Sequence, residues 1–403
     1  MIRSMYSGIS GMKNFQTKLD VIGNNISNVN TYGFKKGRVT FQDLMNQTVS
    51  GASSATETKG GQNPKQIGLG GTLATVDLID TQGSLQTTGR SLDVAISGDG
   101  YFVTRMGTGE AYTRAGNFYL DSEGQLVTGN GSLVQGFSVD GNGNIDRSTL
   151  TDITIDTDTT MAPQATEEAS FDGNLKASSN TDVVIDFKVK DSLGQDIELK
   201  LTLTNQGSNS WGYAVTTANG NVALTSNTGN ISFSNTGEYT GGNATLSMAL
   251  TNNASSPQDI ELDFSKLTQF DSTTSANVET IDGNAEGYLE SFNISSSGEV
   301  NGIFSNGEVR VLSQLVIATF SNGAGLQKTG ENMYITSNNS GLPNYGIASE
   351  GRGSLQSGAL EMSNVDLSEE FTEMIVAQRG FQANTRIITT SDEILQELVN
   401  LKR

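Results

Sequence analysis

Histidine and cysteine are both missing from this chain of 403 residues, and their absence decides most of the chemistry open to it. Without Cys there is no disulfide, no thiolate metal site and no thiol nucleophile. Without His there is no usual general base and no imidazole for a transition metal. A Ser-His-Asp triad cannot be built. What remains is carboxylate and Lys chemistry, or ligand binding by Gly- and Asp-rich loops.

The loops fail on spacing. Asp140-Gly141-Asn142-Gly143-Asn144-Ile145-Asp146 begins like a calcium loop, but such a loop needs Gly at its sixth position and Glu at its twelfth. Those positions hold Ile145 and Thr151, so the stretch reads as a Gly/Asn turn. Gly68-Leu69-Gly70-Gly71 and Gly107-Thr108-Gly109 lack the Lys-Ser/Thr of a phosphate loop and the helix that follows a dinucleotide loop. Glu167-Glu168 sits in a linker. Glu369-Glu370 opens a helix, where Asp366 or Ser368 can cap and acidic side chains favour the positive end of the dipole. The expectation is therefore a protein that is not an enzyme and takes no cofactor and no metal.

Charge argues about partners. Formal net charge is −20, which repels nucleic acid phosphates and anionic lipid. Residues 146–284 carry 19 Asp/Glu against 6 Lys/Arg. The first forty residues instead hold Arg3, Lys13, Lys18, Lys35, Lys36 and Arg38 against Asp20 alone. That basic cluster is either a solvated loop or a contact with an acidic neighbouring subunit. No apolar run approaches membrane-spanning length, so no membrane insertion is expected, and MIRSMYSGISGMK is broken by Ser, Gly and Tyr before any run of signal length, so no cleaved signal peptide is expected either.

The elements that organise the chain lie at its two ends. Leu367, Met374, Phe381, Ile388 and Leu395 recur every seven residues. Phe371 and Val399 open a second row, interrupted by Gln378, Thr385 and Asp392. Ile375, Ile387, Ile394, Leu398 and Leu401 widen the stripe. At the N-terminus one row is Met5, Met12, Leu19 and Ile26, and a second is Gly8, Phe15, Ile22 and Val29. This alternation is a coiled-coil seam. Gly8, Gly11 and Gly23 each weaken the N-terminal helix by about 1 kcal/mol relative to Ala, so it must depend on packing. Both ends ask for helical partners, expected mainly from other copies of the chain.

Between the ends the sequence alternates as strands do. The expected class is mainly β with terminal α-helices, with β domains nested one inside the other. Residues 1–30 and 361–403 form the helical coiled-coil part. Residues 31–71 are an extended connecting arm, with a strand and a turn of helix in 34–46. Residues 72–145 and 285–360 form an inner β domain, and 146–284 an inserted, acidic outer one. DVVIDFKVKD and DIELKLTLTN alternate cleanly around SLGQ, as a hairpin would. The stretch from Phe270 to Asn284 reads as an exit linker.

Several stretches resemble a known family. LDVIGNNISNVNTYGFKKGRVTFQDL (19–44) is similar to the N-terminal signature of bacterial flagellar rod and hook proteins, with Asn24, Asn25, Asn28, Gly33 and Phe34 as signature residues. SLDVAISGDGYFVTR (91–105) and AYTRAGNFYLDSEGQLVTGNG (111–131) resemble the family's central sheet motifs. QLVIATFSNGAGLQKTGENMY (314–334) and the long segment 358–401 complete the match. The resemblance implies a self-assembling subunit of a flexible tube, working as a universal joint. The large insert points to the hook member. The distal rod member is the alternative, because the polar stretch 47–67 is similar to one that distal rod proteins carry. The implied partners are further copies of the chain, rod, hook-cap and hook–filament junction proteins, and the type III export apparatus. The implied location is the extracellular hook, reached without a cleaved signal. From the residues alone, a sheet-rich enzyme or adhesin is the competing class. Lack of His and Cys argues against the enzyme, and paired terminal heptads against the adhesin.

Overall fold

The fold is seen in a computed structural model that describes residues 2–54, 59–140, 143–218, 220 and 222–401, apart from the side chains of Ile2 and Leu398. It is mainly β, with one long helix at each end: α1, Ile2–Ser27, and α2, Leu367–Leu401. The start of α2 is fixed by Asp366, whose Oδ1 accepts from the backbone N–H of Ser368 at 2.8 Å and of Glu369 at 3.3 Å. Glu369 and Glu370 in the first turn complement the dipole. α1 ends two residues before Val29. Asn28 donates its backbone N–H and its side-chain Nδ2 to the Asn24 carbonyl, closing the last turn.

The chain divides into two compact units: Met1–Ile155 with Asn293–Asn301 and Val311–Arg403, and Asp156–Phe292 with Gly302–Arg310. The first unit begins its second segment group at Asn293, and its first segment runs to Ile155 because strand Ile145–Asp152 pairs with Leu133–Val139. In this unit, sheet segments from the two chain halves alternate. Tyr101–Met106 pairs with Gly109–Thr113 and, through Tyr101 and Phe102, with Ile317–Thr319. Met333–Ile335 adds to Gly109–Thr113. Val94–Ser97 takes Ser354–Ser357, and Leu85–Thr87 takes Ala359–Glu361. One core gathers Tyr101, Val103, Tyr112, Val316, Ala318 and Tyr334. Neither half could bury these faces alone.

The second unit is a sandwich of two five-stranded sheets. Its hairpin Val183–Lys190/Asp196–Gly207 pairs residue for residue from Val183↔Leu203 to Lys190↔Asp196, as the alternation predicts. Asp191 makes the turn, accepting from the backbone N–H of Leu193 at 2.9 Å and of Gln195 at 2.8 Å. Inward residues such as Phe187, Leu199, Leu201 and Trp211 meet Phe171, Leu246, Leu262 and Phe264 of the other sheet in one core. The outward face of the hairpin carries Lys188–Glu198 and Lys190–Asp196 ion pairs between directly opposed residues.

Three local readings are corrected. Residues 34–46 hold no helical turn: strand Gly37–Asp43 leads into Asn46–Ser50. The supposed arm is a pair of antiparallel ribbons, Gly37–Asp43 with Gly71–Leu78 and Asn46–Ser50 with Lys65–Gly68. In the second ribbon both faces meet water, and polar Thr, Gln and Asn side chains hide the strand patterning. The supposed exit linker contains strand Asn277–Ile281, which closes the edge of a sheet beside Glu168–Asn174. Of the calcium-like stretch, Gly141 and Asn142 lie outside the described residues. Asp140 Oδ1 accepts from the Asn144 N–H at 2.8 Å, which is a turn. Among the described residues no cluster of three potential metal ligands occurs, and no helix is long and apolar enough to cross a membrane.

Candidate assembly surface

The two terminal helices pair with each other, antiparallel, within one chain. Phe15 lies over Gly380: a Cβ built on Gly380 would fall 2.4 Å from the Phe15 ring. A Cβ on Gly11 would fall 2.7 Å from Asn384 Oδ1, and one on Gly8 would meet Ile388 at 3.4 Å. Two of the three glycines that weaken α1 as an isolated helix, Gly8 and Gly11, are thus where α2 comes close; Gly23 has nothing within 4 Å. Met12 Sδ accepts from Thr385 Oγ1 at 3.8 Å, and Lys18 pairs with Glu373. Ile22 is 4% exposed. Met5, Phe15, Leu19, Ile26, Val29, Met374, Phe381, Ile388 and Leu395 are half-buried.

This pairing does not cover the second row of α2, nor Leu367 at the start of the first. Phe371 is 50% exposed and Leu367 40%. The row facing α1 is instead Glu370, Ala377, Asn384 and Ser391, again spaced by seven, of which Glu370, Ala377 and Ser391 are buried. A search for large apolar residues misses it, because close helix approach selects small and hydrogen-bonding side chains. The opposite side of α1 is covered too. Phe15 and Phe41 rings lie 6.5 Å apart, and Gly70 approaches Ser10. The strand pair Gly37–Asp43/Gly71–Leu78 therefore backs the helix.

What stays open is a different apolar surface. On α2 it comprises Phe371, Ile375, Val376, Ile394 and Val399, all exposed, while Ile387 lies against Gly8 of α1. Tyr6 and Ile9 on α1, and Met45, Val49 and Ile67 on the ribbons, are exposed as well. The side chain of Leu398 lies outside the described residues. Scattered exposed apolar residues are ordinary, whereas rows held along a helix mark contact surfaces.

The signature residues hold α1 to the sheet. Asn25 is buried. Its Nδ2 donates to the Gly37 carbonyl at 2.9 Å and to Glu370 Oε2 at 3.2 Å, while its Oδ1 accepts the Gly37 N–H at 2.9 Å. One carboxamide thus ties α1 to the first strand and to α2. Gly33 sits at φ +68°, and a Cβ there would fall 2.6 Å from the Ala115 nitrogen. Phe34 is buried under Lys328, whose Nζ lies 4.5 Å from the ring centroid. Asn24, Asn28 and Phe34 border a groove of about 550 Å³ with Asn130, Lys328 and Asn332.

Sequence reasoning missed the charged centre of this unit. Lys35, expected in a solvated loop or against another subunit, is fully buried in its own chain. Its Nζ donates to Glu361 Oε1 at 2.7 Å and to the Thr81 carbonyl at 2.7 Å, with Asp80 Oδ1 3.8 Å away. Glu361 also accepts from the Gly83 N–H at 2.9 Å and from Arg114 Nη1 at 3.2 Å. Burial, then the Arg114 guanidinium, push the Lys35 ammonium below its ordinary pKa, and the Glu361 carboxylate opposes both. Lys36 pairs with Glu369 at 2.7 Å, again within the chain. The available signal was a lone Glu between apolar neighbours in Ala359–Met362.

Tyrosines around this centre set an alkaline limit. Burial raises Tyr101, Tyr112 and Tyr334, and the carboxylates of Asp80 and Glu110 add to it. Burial and Glu110 push Tyr345 up to about 12. The unfolded chain releases phenolic protons near pH 10 while the folded chain keeps them, so stability falls as pH rises through that window. Lys35 and Lys328, lowered chiefly by burial, act in the opposite direction only up to 10.5. Urea midpoints should therefore drop between pH 10.5 and about 12. The drop should be smaller in the Tyr112→Phe/Tyr345→Phe double variant, and equal slopes would remove these tyrosines as the cause.

Comparison with known proteins fits this geometry. The N-terminal residues 5–35 match the family described as flagella basal body rod protein, and 95–166 match the flagellar hook protein FlgE/F/G D1 domain. Residues 154–284 match the flagellar basal body protein FlaE D2 domain, and 356–401 the flagellar basal body rod FlgEFG protein C-terminal family. The flagellar hook protein FlgE of Treponema pallidum is 39% identical over all of both chains. The flagellar basal-body rod protein FlgG of Bacillus subtilis is 40% identical, also over all of both. In fold, the crystal structure of Helicobacter pylori flagellar hook protein FlgE2 superposes with a TM-score of 0.53 at 15% identity, covering 69% of this chain and 100% of that one. With whole-length relatives at this identity, and family matches on the helices, the sheet motifs and the inserted unit, the chain belongs to the flagellar hook and basal-body rod protein family.

Proposed function

We propose that this chain is the repeating subunit of a flagellar hook, a flexible tube that transmits torque from rod to filament. The observation that carries the reading is the set of apolar residues left exposed on α2 around its contact with α1, Phe371, Ile375, Ile394 and Val399. Each chain satisfies its own helix pair and still offers exposed apolar side chains along α2. Burying them yields about 25 cal/mol per Å², and further copies of the same chain are the partner that repeats. The seam of the tube is then this exposed set rather than the row between α1 and α2. The family is structural, and its members are not enzymes.

The inserted unit supports the hook member. Its outer strands present Thr, Ser, Asn and paired charges, such as Lys188 with Glu198. Such surfaces exchange neighbours and bridging waters at little cost, as a tube that bends once per turn requires. Rod, cap and junction proteins would meet the tube ends. The type III export apparatus would deliver the chain to the outside without a cleaved signal. The distal rod is the second reading, favoured by the Bacillus subtilis rod relative and by the ribbon Asn46–Ser50/Lys65–Gly68. Electron microscopy of polymer grown from the purified chain decides between them. Curved tubes that straighten and bend are expected, straight rigid tubes would transfer the chain to the rod, and no polymer would reject both.

A further inference from the structure

We propose that Lys35, Arg114 and Glu361 form a closure interlock, through which the first unit becomes stable only when the C-terminal strand Ala359–Glu361 is in place. Glu361 follows Lys35 by 326 residues and Arg114 by 247. The strands Val94–Ser97, Tyr101–Met106, Gly109–Thr113 and Leu133–Val139 all precede it. Tyr101–Met106 pairs with both Gly109–Thr113 and Leu133–Val139, so these three could pair as soon as they exist, while Val94–Ser97 waits for Ser354–Ser357. Closing their core, however, buries two cations: the Lys35 side chain is 1% exposed and that of Arg114 2%. Asp80, the other carboxylate beside Lys35, stands 3.8 Å from Nζ, keeps 27% exposure and is already the acceptor for Tyr101. It cannot neutralise both.

Glu361, with a fully buried side chain, answers both cations at once, one oxygen to Lys35 and the other to Arg114. Removing one member of a buried ionic set leaves the others as uncompensated charge, which is far more damaging than removing the whole set. The same strand carries the chain into α2, and the Gly33 N–H donates to the Glu361 carbonyl at 2.8 Å. Closure of the sheet core and docking of the terminal helices are therefore one event. A chain lacking its C-terminal end keeps this unit open, while the second unit, whose core contains none of these residues, is free to fold.

Amide hydrogen exchange on the full chain tests the interlock. In Glu361→Gln, protection across Val94–Val103, Leu126 and the C-terminal half of α1 should fall by about a hundredfold or more, with the second unit unchanged. Combining Lys35→Met, Arg114→Met and Glu361→Leu should restore about tenfold or more of that loss, because no charge is then left unpaired. The proposal is overturned if Glu361→Gln affects only residues near 83–87 and 359–361. It is also overturned if the triple variant is as unprotected as the single one, since lost packing would then be the cause.

Discussion

Ile375→Asp is expected to leave the single chain folded and abolish its polymer. Ile375 is 58% exposed on the side of α2 away from α1, so in the free chain an aspartate there stays in water. Surface changes of that kind stay within about 0.5 kcal/mol. On the proposed seam a neighbouring copy covers this position, where an unpaired carboxylate costs several kcal/mol per subunit, repeated along the assembly. Thermal melting should match that of the unchanged chain, while sedimentation shows no polymer and cells carry no hooks. Normal hooks with Ile375→Asp would move the seam elsewhere.

Ile22→Asp should do the reverse within one chain. Ile22 is 4% exposed between α1 and α2, next to the Asn25 clamp. A carboxylate there has Lys18 four residues back, but that ammonium is engaged by Glu373. Opening the helix pair should therefore be favoured by about 3 kcal/mol or more. Exchange should become fast along α1 and in α2 beyond Phe381, with the second unit melting as before. Retained protection of α1 would mean that the ribbons, rather than α2, hold it. Assembly should fail here as well, so the two variants separate by what happens before any polymer forms.

The contrast between Ile375 and Ile22 marks where the sequence stopped being readable. Seven-residue spacing announced both terminal helices, because periodicity is a property of the chain itself. The row Met374, Phe381, Ile388 and Leu395 was legible for that reason. The matching row Glu370, Ala377, Asn384 and Ser391 was not: its side chains are small or polar, and they suit a seam only once Phe15, Gly8 and Gly11 of α1 lie against α2. Likewise, DVVIDFKVKD and DIELKLTLTN announced a hairpin through alternation and a turn-forming Asp191. The strands Asn46–Ser50 and Asn277–Ile281 stayed hidden, since a ribbon exposed on both faces and a polar edge need no alternation.

By itself, the sequence determined the absence of His and Cys chemistry, the helical ends, the sheet-rich middle, the acidic insert and the family motifs. All of these are local in the chain, so composition and spacing suffice. Only the tertiary structure decided that the ends pair first with each other, that Phe371 faces outward, and that Lys35 meets Glu361 in a buried centre. Those outcomes depend on which side chains come together across hundreds of residues. Burial then sets their energies, because a charge or an apolar face has no fixed cost until its surroundings exclude water or leave it exposed.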